Sequence, residues 1–148
     1  MKRLFTVACL ALALQGCAQA PLNTPSGRPQ AFFAGQTVGV MQNVLVDMAA
    51  HVGMTITTQT PNTVTMEKPM GFRGTVLMGN GAQRQLTFTL VRRHTGTEVF
   101  VSEAYLENPG TPMQQIDPDM DSNRSLQNLL MKMQAAAAEG LGPFAHGG

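Results

Sequence analysis

Both cysteines of this 148-residue chain, Cys9 and Cys17, lie within its first seventeen positions. The rest is thiol-free, so whatever folds there has no disulfide framework, no cysteine metal site and no cysteine nucleophile. It must be held together by an apolar core and hydrogen-bonded elements. Aliphatic side chains suffice for that, although aromatics are few and Trp is absent. The 11 methionines, nearly all beyond the first sixteen residues, read as adaptable core filler.

The first residues explain where the cysteines sit. Lys2 and Arg3 precede an apolar run from Leu4 to Leu14. That run has the length of a secretory signal and is well short of the roughly 20 residues a membrane-spanning helix needs. Leu14-Gln15-Gly16-Cys17 resembles the bacterial lipobox, with Leu three residues before the cysteine and Gly just before it; Gln15 departs from the small residue usual there. The resemblance implies that residues 1–16 are a lipoprotein signal peptide and that Cys17 is the lipid attachment site, carrying acyl chains such as palmitate. Several chains anchor firmly, because each buried methylene contributes about 0.8 kcal/mol. Ala18 follows the cysteine where an Asp would signal retention, which implies an outer-membrane address with the domain facing the periplasm. The alternative is an ordinary signal peptide cut near Ala18 or Ala20.

Residues 17–33 read as the lipidated cysteine and a flexible tether. Pro21, Pro25, Gly27 and Pro29 interrupt small polar residues that have little to bury. Thirteen such residues extend to about 40 Å. Ser26-Gly27-Arg28-Pro29 is similar to a segment of small proteobacterial envelope lipoproteins of unassigned activity. That resemblance runs loosely from Cys17 to Leu106 and brings no catalytic residues. Arg28 reads as a solvated linker charge, or alternatively as a docking contact for a partner or phosphate.

Residues 34–141 read as a single α+β domain, with 142–148 a flexible tail. Val38, Met41, Leu45, Met48 and Val52 recur at helical spacing, predicting a helix over 36–52, capped by Thr37 or Gly35 and ended by Gly53. His51 lies in its last turn, where the helix dipole favours a cation. Residues 55–59 and 63–67 are Thr-rich strands around a Pro61-Asn62 turn, with Ile56, Val64 and Met66 inward. Residues 72–78 suit strand or helix equally. Residues 83–92 and 98–105 alternate as a hairpin, with Leu86, Phe88, Leu90, Val99 and Val101 as its apolar positions. A Pro- and Asp-bearing loop over 107–121 leads to a second helix at 123–138, striped by Leu126, Leu129, Leu130, Met133 and Ala137. The order α-β-β-β-β-α suits a curved antiparallel sheet of about four strands with two helices on one face. It is similar to the helix-grip or TBP-like modules of some outer-membrane assembly lipoproteins.

Catalytic chemistry finds little purchase. There is no Gly-x-Ser-x-Gly elbow and no phosphate-binding glycine loop. The Asp117-x-Asp119-x-Asp121 spacing resembles the opening of a calcium loop, but the required Gly and closing Glu are missing, and Asp121 or Ser122 reads as a helix cap. Met131 and Met133 point too far apart on a helix to share a copper ion. Arg92-Arg93-His94 forms a basic turn, a solvated tip or a contact for an anionic lipid or polymer. Near-neutral charge gives no support for a nucleic-acid partner.

The expectation is therefore a membrane-anchored, non-catalytic interaction module of the bacterial envelope, without cofactor or metal, its partner an envelope protein. The alternative is a small-molecule or lipid binder with an apolar groove between helices and sheet.

Overall fold

The computed structural model describes residues 22–70 and 82–139. The segment read as a signal peptide, Cys17 and the ambiguous 72–78 segment lie outside the described residues, as does the tail. The described chain runs β1 (Gln30–Ala34), α1 (Val38–Val52), β2 (Thr55–Thr60), β3 (Thr63–Pro69), β4 (Gln83–Arg93), β5 (Gly96–Glu107), β6 (Gln115–Pro118) and α2 (Asn123–Ala138). It is an α+β architecture: one six-stranded antiparallel sheet in the order β1-β5-β4-β3-β2, with β6 also on β5. The sheet is open, not a closed barrel.

The apolar alternation produces this arrangement directly. Val99, Leu90 and Ala31 lie side by side across three strands, as do Val101, Phe88 and Val64. Opposed residues of an antiparallel pair share a face, so one face is apolar. Met41, Leu45, Met48 and Ala49 of α1 and Leu126, Leu130 and Met133 of α2 join the same buried cluster. The other face carries Thr65 opposite Thr87 and Thr63 opposite Thr89.

Helix α1 has the predicted caps. The Thr37 hydroxyl accepts from the Val40 N–H, and Gly53 takes the left-handed conformation at φ 67°. Val52, the last residue of the helix, departs from the expected stripe and is 42% exposed.

Two strands exceed the expected four. β1 lies inside the segment read as tether, and β6 inside the loop read as irregular. The Ser26-Gly27-Arg28-Pro29 stretch is a folded lead-in to β1. The Gly27 N–H reaches the Thr24 carbonyl, and the buried Pro29 accepts from the Val101 N–H at 3.1 Å. The Arg28 guanidinium lies 5.6 Å from the centre of the Phe100 ring. Arg28 is exposed, with its guanidinium over that ring. Residues 24–30 add nothing to the reach of a tether, since these contacts hold them against β5.

Candidate functional site

The sheet has three edge segments, and the chain treats each differently. A strand at an edge leaves alternate N–H and C=O groups without a ladder partner, so it can accept another strand unless it is blocked.

The β1 edge is sealed by α2. The Gln127 side chain accepts from the Gln30 N–H at 2.8 Å and donates to the Gln30 carbonyl at 2.9 Å. Gln134 donates to the Phe32 carbonyl at 2.6 Å. Seven residues is close to two helical turns, so the two glutamines project from one side of α2 along the strand. They satisfy three of the backbone groups that a seventh strand would use, the Gln30 N–H and the Gln30 and Phe32 carbonyls.

The β6 edge is blunted. It is four residues long and carries Asp117 and Pro118. Charge and proline both oppose the addition of a strand.

The β2 edge carries neither device. Its sequence, Thr-Ile-Thr-Thr-Gln-Thr, has no charge and no proline, and every position except Ile56 is exposed. It pairs only with β3, its register shifting between Ile56 and Thr58, where Thr57 is the extra residue. Thr60 is tied to α1 through the Gln42 amide at 2.6 Å. The Thr57 hydroxyl donates to Glu67 at 3.2 Å, and among the described residues no strand or helix covers the rest of its outer side.

Two concavities flank these edges. One, of about 390 Å³, follows the seam between β1 and the end of α2 and is lined by Phe32, Ala34, Met131, Ala135 and Ala138 among others. The second, of about 440 Å³, lies between the start of α1 and the β4–β5 turn, with Arg92, Arg93 and His94 on its rim. In that turn Arg93 is paired with Glu98 through its Nε at 2.7 Å, so part of the tip's charge is neutralised within the fold.

A half-buried ion pair stands at the opposite end of the sheet. Glu103, 4% exposed, lies among the apolar positions and is gripped by both arms of Arg84, one contact being 2.9 Å from Nη2 to Oε2. Hydrogen bonding of its guanidinium to Glu103 raises the Arg84 pKa above its ordinary range; burial opposes this, and the charges of Glu103 and Asp119 add to it. Tyr105 donates to Asp119 at 3.1 Å, and the Asp119 N–H reaches the Glu103 carbonyl. These contacts fasten β4, β5 and the approach to α2. A carboxylate already engaged by a fork of donors is poorly placed to move a proton.

The predicted site residues are scattered. Asp119, not Asp121 or Ser122, supplies the turn before α2: its Oδ1 accepts from the N–H groups of Asp121 and Ser122. Ser122 stands at the cap position without a side-chain cap bond. Asp117 belongs to β6. Among the described residues no three His, Cys, Asp or Glu side chains converge as metal ligands. Met133 is buried and Met131 is 52% exposed, as opposite sides of a helix require. His51 is exposed in the last turn of α1. Among the described residues no helix is long and apolar enough to cross a membrane.

Sequence reading missed the edge seal. Gln127 and Gln134 look like two solvated polar residues, and only their seven-residue spacing hints at a shared task. No family model, curated protein or solved structure matches this chain.

Proposed function

We propose that this chain is a membrane-anchored, periplasm-facing lipoprotein whose folded body is a non-catalytic interaction module of the bacterial envelope. The observation that carries this reading is the asymmetry of the sheet: the β1 edge is closed by Gln127 and Gln134, whereas the β2 edge is uncharged and, among the described residues, uncovered. An open strand edge binds protein through main-chain hydrogen bonds and needs no catalytic group. The strand order, with a helix between β1 and β2 and another at the end, is in keeping with a helix-grip or TBP-like module. The lipobox resemblance at Leu14–Cys17 supplies the anchor.

Two measurements test this. Intact mass of protein from the membrane fraction is expected to show a species beginning at Cys17 with two or three acyl chains, and Cys17→Ser to abolish acylation. A soluble, unacylated wild-type chain refutes the anchor. A photo-crosslinking residue at Gln59 is expected to give a protein adduct in membranes, whereas the same residue at Gln134 gives none. Absence of an adduct at Gln59 refutes the module.

The groove beside Phe32 and Met131 favours a second reading, a lipid or small-ligand binder, since its volume is within the range of ligand sites. A lipid extracted stoichiometrically from pure protein, and lost in Met131→Lys, would select that reading.

A further inference from the structure

We infer that the occupant of the β2 edge is a second copy of this chain, its β2 lying antiparallel to the first so that one sheet runs through both. This rests on the reading of β2 as the docking edge and names its partner.

The first argument is charge. Thr55–Thr60 carries none, so a charged partner strand finds nothing on it to recognise, whereas an identical strand meets it without like-charge repulsion. The exposed threonines are β-branched and suit a pleated seam.

The second argument is closure. An edge-to-edge assembly grows into a fibre when both edges of the sheet are free and stops at two when only one is. Among the described residues, β1 is sealed by Gln127 and Gln134, and β6 is short and carries Asp117 and Pro118. Only β2 is left to pair, and a two-fold axis through β2 uses it up. The Thr57 bulge gives the strand a fixed local twist, which a symmetric copy shares and an arbitrary strand does not.

The third argument is area. A six-residue strand edge buries less than the roughly 1,200 Å² of a stable soluble complex. The pairing therefore depends on confinement: two chains held at one membrane surface meet at a raised effective concentration.

The test is made on the full chain in membranes. A photo-crosslinker at Gln59 is expected to give an adduct of twice the chain mass. Two tagged versions of the chain are then co-expressed. Thr58→Lys in both is expected to cut that adduct at least tenfold, and Thr58→Lys in one with Thr58→Glu in the other to restore it. Thr58 is exposed, so circular dichroism and the melting temperature of each variant should match the parent. An adduct of any other mass overturns the second copy and leaves the module reading standing. No adduct overturns both. A twofold-mass adduct indifferent to Thr58→Lys overturns the β2 seam.

Discussion

Removing the amide of Gln127 tests whether α2 holds the sheet edge or merely lies beside it. Gln127→Ala deletes two hydrogen bonds, both to Gln30 backbone, at 2.8 and 2.9 Å. Each such bond contributes about 0.5–1.5 kcal/mol net, or about 1–3 kcal/mol for the pair. Two effects reduce that figure. Gln127 is half-buried, so water reaches some of the vacated groups, and Ala regains a few tenths of a kcal/mol, about 0.3, in helix propensity. The expected loss is then about 1–2 kcal/mol, a melting temperature lower by roughly 5–10 °C for a domain of this size. The assay is urea and thermal unfolding of Gln127→Ala beside Asn128→Ala, an exposed neighbour on the same helix. Native-state hydrogen exchange should also accelerate at the Gln30 amide, because that donor loses its acceptor. If Gln127→Ala melts with Asn128→Ala and the Gln30 amide stays as protected as before, the seal contributes nothing and the contrast between the two sheet edges disappears.

Other substitutions probe different parts of the fold. Arg84→Ala strands Glu103 among apolar side chains and should cost on the order of 3 kcal/mol. Glu103→Ala should cost less, because Arg84, with its side chain 42% exposed, can turn to water; a urea-unfolding double-mutant cycle reads the difference. Gly96→Ala drives a β-carbon into the Phe33 carbonyl oxygen and should destabilise by about 1–3 kcal/mol, seen as a lower urea midpoint. Asp119→Ala removes the acceptor for the Asp121 and Ser122 N–H groups and should cost about 1 kcal/mol, with faster exchange at those amides.

The elements that sequence reading located are those whose signal is local. A stripe at three- and four-residue steps places α1 and α2 within a residue or two, and alternation assigns Leu86, Phe88, Leu90, Val99 and Val101 to one face. β1 escapes because Gln-Ala-Phe-Phe-Ala is short, follows a Pro-rich run and exists as a strand by pairing with β5, far along the chain. β6 escapes for the opposite reason. All four of its residues are exposed, it contains Asp and Pro, and nothing in it asks to be buried; β5 templates it. The edge seal is invisible because a glutamine facing backbone and a glutamine facing water are the same letter. Ser122 stands at the expected cap position without a side-chain bond, and Asp119 shapes the turn before it.

On the proposed anchoring through Cys17, the position of the anchor bears on which edge can be met. The described chain arrives through residues 24–30, held to β5 by the Pro29–Val101 bond and by Arg28 over Phe100. It therefore joins the sheet on the β1 side. In the order β1-β5-β4-β3-β2, the open edge lies four strand spacings away, or roughly 19 Å at about 4.8 Å per strand. A tether leading into β1 would lie nearer the edge that Gln127 and Gln134 close than the β2 edge. Sealing and the proposed anchoring would thus act in the same direction. Re-siting the lipidated segment so that it leads into β2 should suppress the Gln59 adduct while leaving the melting temperature unchanged. If the adduct persists at its original yield, accessibility of the β2 flank does not govern the pairing.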